Sequence, residues 1–435
     1  MISGIIKSVF VGFLIYLTFL TSLLFEPVQR NLVFLHRVRL GSKETLYYPE
    51  NVGFALNQVA PFWLDTPDGE RLFGWHLLPL DVYESHKAEL RSIEVSDGVI
   101  DSGELAQNHL KILKEDPDAR LIIYYHGNSG CISSIHRPDV YRALLSTSPK
   151  HTHVFVVDYR GFGMSTGQPS EDGLVTDGAF TAIEIMNRTG ISPDRTILVG
   201  QSLGTGVIIG AADLLAQQTP KVEVQAIVPI AGFASIEELL STFKLFGVLP
   251  VLSPFAVFEP LQRTLAACLR YKFHSDERME RFVRNTRKTK VLVVHSFNDQ
   301  EIPFDHGEKL LDAALIGAIE AEDDDFAVKS NISRPSSHLQ RLVELDENER
   351  DGVFEVVSVG IQQAREYVFY QRLWDNSTAA QISGETVEYE AVIEPVGSND
   401  TEIRRISMLA VKWGGHNVVP KSTDVVLSIR NILYD

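Results

Sequence analysis

A serine flanked by glycines at residues 200–204, GQSLG, carries the clearest chemical signal in the sequence. The strand-like segment TILVG runs into it, and the helix-forming segment LGTGVIIGAADLLAQQ continues from its fourth residue. A strand that turns sharply into a helix strains the serine backbone and needs small neighbours, which Gly200 and Gly204 supply. The hydroxyl then stands above the sheet, where the helix N-terminus favours developing negative charge. We therefore predict a nucleophile at Ser202; the alternative is a glycine-rich turn with an incidental serine.

A nucleophilic serine needs a base, and the base needs an orienting acid. Asp299 follows the apolar strand VLVVH, with Glu301 in the same loop and Asp305 at the start of the next helix as rivals. His416 follows the last apolar strand in the segment KWGGHN, where glycines allow a close approach. We predict Asp299 as the acid and His416 as the base, although most of the 13 histidines must be surface or core residues.

The tetrahedral intermediate of acyl transfer also needs hydrogen-bond donors for its oxyanion. The segment YYHGNSG ends a strand and enters a helix, and its backbone is placed to face the serine. We predict the amides of Asn128 and Leu203 as the two donors and Gly127 as a substrate-binding residue. The alternative is a plain turn at the strand end. Nearby Cys131 is expected to be a small buried residue rather than a reactive thiol.

Length and composition limit the remaining possibilities. The chain has 435 residues, 44% hydrophobic and 22% charged, which is ordinary globular usage. Its 40 basic and 57 acidic residues give a net charge of −17, which argues against a nucleic-acid binder. Two cysteines exclude a disulfide scaffold and give no CxxC pair, so we expect neither metal nor cofactor. The acidic residues are concentrated between positions 316 and 405.

The N-terminus predicts a membrane anchor over residues 1–25. Residues 9–25 carry no charge and, as a helix, span about 26 Å, at the short end of what crosses a bilayer. A cleaved signal peptide and a buried helix are the alternatives. Basic residues on the C-terminal flank favour a cytoplasmic main domain. Four glycosylation sequons favour a lumenal one, so the side of the membrane stays open: Asn187, Asn331, Asn376 and Asn399.

Short apolar strands alternate with amphipathic segments from residue 121 onward, which predicts a mostly parallel sheet covered by helices on both faces. The strands are expected at 121–125, 154–158, 196–199, 224–230, 290–295 and 406–411. A hairpin is expected over residues 62–78, and the polar segment 81–120 reads as a loop with a short helix. Residues 322–325 and 334–337 are typical of a disordered linker, whereas 353–359 and 387–393 fit added strands.

In this order, the segments HGNSG, DYRGFGMSTG, GQSLGTG, HSFNDQEIP and GGHN resemble the α/β-hydrolase superfamily. They are most similar to its membrane-anchored group of monoacylglycerol and lysophosphatidylserine lipases, over residues 120–312 and 405–433. The resemblance implies the α/β-hydrolase fold, the triad Ser202, Asp299 and His416, and a cap over 235–289. The chain departs from compact members in the long gap between acid and histidine, which contains the acidic insertion.

These features divide the chain into an anchor (1–25), a juxtamembrane segment (26–60), a cap (235–289), an acidic insertion (316–405) and a discontinuous hydrolase core. The core comprises residues 61–234, 290–315 and 406–435, the last with the catalytic histidine and the closing helix.

An anchored hydrolase is expected to act on lipid esters of the bilayer, with monoacylglycerol or lysophospholipid as the first choice of substrate. The apolar run 243–258 either lines an acyl site, through Phe243, Phe246 and Phe255, or packs the cap onto the core. Alternatives are a protein depalmitoylating thioesterase and a catalytically inactive membrane scaffold. We expect a single-pass protein, with the endoplasmic reticulum as its location and no prediction for protein partners.

Overall fold

The computed structural model of the protein describes residues 21–38, 41–94, 103–134, 136–242, 267–322 and 404–434. It also describes scattered residues between 10 and 18 and three strands between 356 and 393.

An 11-stranded sheet with the order β1-β2-β4-β3-β5-β6-β7-β11-β10-β9-β8 organises the molecule. Strands β3 to β7 and β11 run parallel, whereas β1 and β2 form an antiparallel hairpin whose second strand pairs with β4. The strands are β1 (Val59–Asp65), β2 (Arg71–Leu77), β3 (Arg120–Tyr125), β4 (Thr152–Val157), β5 (Thr196–Gln201), β6 (Ala226–Ile230), β7 (Lys290–Ser296), β8 (Val356–Ser358), β9 (Val368–Arg372), β10 (Thr386–Ile393) and β11 (Arg404–Val411).

Helices cover both faces of this sheet, which explains why its central strands are apolar on both sides. In chain order they are α1 (Glu26–Phe34), α2 (Lys43–Tyr47), α3 (Leu80–Ser92), α4 (Glu104–Glu115), α5 (Arg137–Leu145), α6 (Glu171–Thr189), α7 (Leu203–Ala216), α8 (Ile236–Thr242), α9 (Ser275–Asn285), α10 (Asp305–Glu322), α11 (Gly415–Val418) and α12 (Thr423–Tyr434). Short 3-10 turns occupy Pro49–Val52, Pro193–Arg195 and Val419–Lys421.

This architecture confirms the predicted α/β-hydrolase fold. The six predicted strands of the sheet each begin and end within two residues of the observed ones. The prediction that residues 81–120 form a loop with a short helix was wrong, because two full helices, α3 and α4, occupy this segment. In α4 the apolar residues Leu105, Ile112 and Leu113 are buried, but polar residues make up most of the helix, so composition alone concealed it.

Three strands lie within the segment predicted as an acidic insertion. Strand β10 pairs antiparallel with β11, and β9 and β8 continue outward in the same antiparallel fashion. The added-strand interpretation of residues 353–359 and 387–393 is therefore correct, and β9 was not foreseen. Of the predicted linker, Glu322 ends α10, whereas residues 323–325 and 334–337 lie outside the described residues. The sequons Asn331, Asn376 and Asn399 also lie outside them, and Asn187 is exposed on α6.

Two further predictions fall largely outside the described residues. Much of the predicted anchor is not described, and no helix among the described residues is both long and apolar enough to cross a membrane. The middle of the predicted cap, residues 243–266, is also not described, and with it Phe243, Phe246 and Phe255.

Candidate active site

Ser202 occupies a strained turn between β5 and α7. Its backbone has φ 53° and ψ −119°, a conformation that side chains rarely adopt. A Cβ at Gly200 would lie 2.4 Å from the Gly204 carbonyl oxygen, and one at Gly204 would lie 2.1 Å from that of Tyr125. Only glycine fits at either position, so the GxSxG spacing is a direct requirement of the turn.

Asp299 and His416 meet at the carboxyl ends of the neighbouring parallel strands β7 and β11. The Nδ1 atom of His416 lies 2.8 Å from Oδ2 of Asp299. The other carboxylate oxygen of Asp299 accepts the backbone N–H groups of Glu301 at 2.9 Å and Ile302 at 3.0 Å. With the carboxylate fixed by two amides, the imidazole is held in one orientation.

Side-chain amides connect the loops that carry these residues. The Oδ1 atom of Asn298 accepts the N–H of Gly415 at 2.8 Å, which ties the acid loop to the histidine loop. Gln201, next to the nucleophile, donates from Nε2 to the carbonyl oxygen of His416 at 2.9 Å and accepts the Tyr124 hydroxyl at 2.6 Å. These bonds hold the histidine loop beside the nucleophile.

The hydroxyl of Ser202 has no hydrogen-bond partner in the described part of the chain, so its bond to His416 is not formed in this structure. Catalytic hydrogen bonds are often long or unformed in free enzymes and tighten with substrate. The Gln201 contact holds the backbone of His416 next to the residue that precedes Ser202.

The charges around His416 favour its protonated form. Burial lowers the pKa of His416, but its hydrogen bond to Asp299, the charge of Asp299 and the charge of Glu301 together raise the pKa above its ordinary value. Burial also raises the pKa of Asp299, yet the neighbouring His416 and His295 and the backbone N–H groups bring it below the usual range. The aspartate is therefore ionised and can stabilise an imidazolium.

Glu301 and Asp305 were the alternatives to Asp299 as the acid that orients His416. The two residues occupy different positions relative to the imidazole. Glu301 lies on the other side of the imidazole, with Oε2 3.9 Å from Nε2 of His416. Its Oε1 accepts the side-chain amide of Asn417 at 3.2 Å. Asp305 begins α10. The geometry favours Asp299 as the orienting acid and leaves Glu301 as a second charge beside the base.

The loop after β3 runs against the nucleophile. A Cβ added at Gly127 would lie 3.3 Å from Cβ of Ser202 and 3.8 Å from its Oγ, so Gly127 borders the reacting atom. The N–H groups of Ser129 and Gly130 donate to the carbonyls of Phe34 and Val38, both at 3.0 Å. The N–H of Asn128 has no backbone acceptor among the described residues, and Leu203 is the first residue of α7, where helical N–H groups have no intrahelical partner.

His126 and Cys131 lie near this loop but are poorly suited to catalysis. His126 is fully buried and lies 2.7 Å from the Gly127 carbonyl through Nδ1. Burial lowers the pKa of His126. The Nε2 atom of this histidine lies 3.3 Å from Oδ1 of Asp158. Burial, with the Asp158 charge, raises the pKa of the Cys131 thiol. Cys131 is thus a small buried residue, as expected, rather than a thiolate.

A possible metal-binding group lies at the opposite end of the sheet. Asp116, Asp118 and His151 present ligand atoms within 4.8 Å of one another, just before β3 and β4 begin. The Nδ1 atom of His151 lies 2.9 Å from Oδ2 of Asp116. These residues are partly exposed and far in the fold from the strand ends that carry Ser202, and they have no place in the chemistry described above.

Two residues close to the site were missed by sequence reasoning. Gln201 was considered only as a variable position of the GQSLG motif, and Arg137 was given no role. A buried polar residue next to a nucleophile, and a cation in the first turn of a helix, are the signals that could have identified them.

Several known proteins are similar to this chain in sequence. No family model matches the chain. "Lysophosphatidylserine lipase ABHD12" of Danio rerio is 30% identical over 288 residues, which cover 66% of this chain and 66% of the relative. The Mus musculus protein of the same name is 28% identical over 306 residues, covering 70% and 67%. "Protein ABHD12B" of Homo sapiens is 34% identical over 197 residues, covering 45% and 49%. The aligned part thus spans just under two thirds of the first relative.

Solved structures with a similar arrangement include an α/β-hydrolase from Vibrio vulnificus, with TM-score 0.46 and 17% identity over 67% of this chain and 84% of that one. Est1E from Butyrivibrio proteoclasticus with bound ferulic acid has TM-score 0.37 and 16% identity over 58% and 84%.

The sheet order, the strained serine turn and the sequence relatives agree: the chain belongs to the α/β-hydrolase superfamily. Within that superfamily it is similar to proteins named lysophosphatidylserine lipases.

Proposed function

We propose that this protein is a membrane-anchored serine hydrolase that cleaves the acyl ester of a lysophospholipid or monoacylglycerol. The observation that carries the proposal is the 2.8 Å contact between Asp299 and His416 beside the strained turn at Ser202. The acid–histidine pair and the strained serine turn are two of the parts of a Ser-His-Asp triad, and they support the proposal. The relatives named as lysophosphatidylserine lipases support the substrate class.

In the proposed reaction, Nε2 of His416 accepts the Ser202 hydroxyl proton while Oγ attacks the ester carbonyl carbon. The charge that develops on the carbonyl oxygen is held by the N–H groups of Asn128 and Leu203. The intermediate collapses to an acyl-serine, and His416 returns the proton to the departing alcohol. Water, activated by the same imidazole, then releases the fatty acid and restores Ser202.

The N-terminal segment supports a lipid substrate, because it joins the proposed oxyanion loop directly. Phe34, at the end of α1, is fully buried, and its carbonyl accepts the N–H of Ser129 at 3.0 Å. Between residues 10 and 15, the described apolar side chains are exposed, among them Phe10 and Ile15. Exposed apolar side chains on a segment fastened to the active-site loop would hold the catalytic face close to a bilayer.

The same segment also contacts residues in the C-terminal half of the proposed cap. Gln29 is buried and donates from Nε2 to the Cys268 carbonyl at 2.9 Å, while its Oε1 accepts the N–H of Arg270 at 2.8 Å. We propose that the cap, residues 235–289, contributes the acyl-binding part of the site. Its aromatic residues Phe243, Phe246 and Phe255 would then receive the acyl chain.

The test is hydrolysis of a substrate panel by the full-length protein in lipid vesicles. The panel contains lysophosphatidylserine, a monoacylglycerol, a palmitoyl-thioester peptide and a short-chain nitrophenyl ester. We expect fatty-acid release from the first two to exceed thioester cleavage, and Ser202→Ala to abolish every activity. A folded protein that cleaves no ester would contradict the proposal and favour the inactive scaffold. Preferred thioester cleavage would favour the depalmitoylating alternative.

A further inference from the structure

Arg137 is a buried arginine whose hydrogen-bond acceptors are all backbone carbonyls of the proposed oxyanion loop. Its Nη2 atom donates to the carbonyls of Gly127 at 2.9 Å, Asn128 at 2.9 Å and Ser129 at 2.8 Å. Its Nη1 atom donates to the Cys131 carbonyl at 2.6 Å. One side chain therefore binds nearly every carbonyl of the turn that borders Ser202.

Two features of the position of Arg137 cost free energy. Arg137 is the first residue of α5, where the helix dipole disfavours a cation. It is only 4% exposed, and no carboxylate of the described residues lies within ion-pair distance of it. A buried cation without a counter-ion costs free energy unless polar groups surround it. The four carbonyls supply that environment, so the loop and the arginine depend on each other.

Because the peptide group is planar, the contacts of Arg137 determine where the N–H of Asn128 points. The C=O of one residue and the N–H of the next belong to one planar trans peptide and point in opposite directions. Because the Gly127 carbonyl points at Arg137, the N–H of Asn128 points away from it. The next two N–H groups are occupied by Phe34 and Val38, which leaves the Asn128 donor without a backbone partner in the described structure.

The loop conformation also needs support. Ser129 has φ 58° and Gly130 has φ 61°, so two successive residues are left-handed and one of them carries a side chain. A non-glycine residue in this region costs about 1 kcal/mol. The hydrogen bonds from Arg137 to Asn128 and Ser129 span this strained turn and offset that cost.

We infer that Arg137 is the positioning residue of the oxyanion hole, and this inference rests on the proposed function. The guanidinium fixes three successive carbonyls and thereby aims the N–H of Asn128 at the carbonyl oxygen of the ester. Its buried positive charge lies behind the same peptides, where it favours negative charge on the reacting side. Without it, the Gly127 carbonyl keeps only its contact with His126 at 2.7 Å among the described residues, and the N–H of Asn128 is no longer fixed for the transition state.

The test compares Arg137→Met and Arg137→Lys with Arg142→Met, a matched control on the same helix. Arg142 pairs with Asp139 at 2.9 Å and also contacts the Val52 carbonyl, away from the oxyanion loop. For each full-length variant we would measure kcat and KM on the best ester, the inhibition constant of a long-chain trifluoromethyl ketone, and the Tm. The ketone forms a tetrahedral adduct and therefore probes the oxyanion hole.

For Arg137→Met we expect kcat to fall about 10²–10³-fold, the usual effect of losing one oxyanion donor, while KM changes little. Inhibition by the ketone should weaken in parallel with kcat/KM. Arg137→Lys should recover part of kcat, since a point charge with one donor centre cannot serve four carbonyls. Arg142→Met should retain kcat within about twofold, because a surface substitution away from the site has little effect.

An Arg137→Met protein that keeps its kcat, or that loses kcat without weaker ketone inhibition, would overturn the inference. If Arg137→Met does not fold, Arg137→Lys decides: an unchanged kcat would overturn the inference, and a reduced kcat with unchanged Tm would support it. A wild type without ester hydrolysis would overturn both this inference and the proposed function. An active wild type that depends on Ser202 but tolerates both changes at Arg137 would overturn the inference alone.

Discussion

The imidazole of His416 and the carboxylate of Asp299 lie 2.8 Å apart although 117 positions separate them in the chain. The intervening strands β8 to β10 are added outside β11, so β7 and β11 remain direct neighbours in the sheet. Their carboxyl ends therefore meet as they would in a shorter protein. A long insertion between acid and base is tolerated because it extends the free edge of the sheet.

Replacing Asp299 by Asn should reduce kcat about 10³–10⁴-fold with little change in Tm. The amide oxygen can still accept the N–H groups of Glu301 and Ile302, but its NH₂ group then faces the Nδ1 of His416. A donor there favours the tautomer with the proton on Nε2, which cannot accept a proton from Ser202. Steady-state kinetics on the best ester, with Tm from scanning calorimetry, checks this prediction.

Glu301→Gln is the matched comparison for Asp299→Asn, since both change one carboxylate next to His416 into an amide. Glu301→Gln should keep kcat within about tenfold at the pH optimum, because the residue does not orient Nδ1. A larger loss at Glu301 than at Asp299 would show that the two acids have been assigned the wrong way round.

The acidic limb of the pH–rate profile should move to lower pH in Glu301→Gln. The reaction needs neutral His416, so kcat/KM falls as pH drops through the pKa of that residue. The charge of Glu301 contributes to raising the pKa of His416, and removing it lowers the pKa. The variant therefore stays active at more acidic pH than the wild type.

This shift is measured from kcat/KM profiles of the wild type, Glu301→Gln and Glu89→Gln, an exposed surface control. Glu89→Gln should leave the profile unchanged. An acidic limb that stays in place or moves to higher pH in Glu301→Gln would show that Glu301 does not act on the imidazole.

Most of the fold was predictable from sequence because local pattern and final environment agree. Strands such as β3 and β5 are buried on both faces and read as continuous apolar runs. Amphipathic helices that pack on one side, such as α4, contain too few apolar residues to be recognised from composition. Strand β9 acquires its structure from pairing with β10 rather than from a pattern of its own.

The site was predictable to the extent that turn chemistry fixes residue types. Gly200 and Gly204 are required by the local turn that holds Ser202, so a short motif identifies the site. Arg137 and Gln201 act through contacts with backbone atoms of other segments, and such partners are defined only by the folded chain. Glu301 was named as a rival acid, but its placement opposite Asp299 required the structure.

Ser202→Gly should raise the free energy of unfolding by about 1 kcal/mol, whereas Ser202→Ala should leave it nearly unchanged. The positive φ of Ser202 is strained for any residue with a Cβ, and only glycine relieves that strain. Both variants should be inactive. Urea unfolding of the three proteins checks the prediction, and a Ser202→Gly variant less stable than Ser202→Ala would contradict it.

Acid should destabilise the protein through three buried histidines between β2, α4 and β4: His76, His109 and His153. Burial lowers the pKa of His109 to about 4 and that of His153 to about 3, and it also lowers the pKa of His76. In the unfolded chain each titrates near 6.5, so the unfolded state binds protons first as pH falls. Stability is therefore full above about pH 6.5 and is lost below it.

His109→Gln should reduce this acid sensitivity by about 2 kcal/mol between pH 7 and pH 5. Glutamine can still donate to the Asn57 carbonyl that His109 Nε2 contacts at 3.0 Å, but it does not titrate. Urea unfolding at the two pH values, with His86→Gln on α3 as the control, gives the difference. An equal pH dependence in the wild type and His109→Gln would contradict the assignment.

The central claim, that Ser202 is the nucleophile, is tested most directly by locating a covalent adduct. The full-length protein is treated with a fluorophosphonate, digested, and the modified peptide is identified by mass spectrometry. The account predicts one adduct, on Ser202, that is absent in Ser202→Ala and retained in the surface control Ser146→Ala. Labelling that persists in Ser202→Ala, or an adduct on another residue of the wild type, would contradict it.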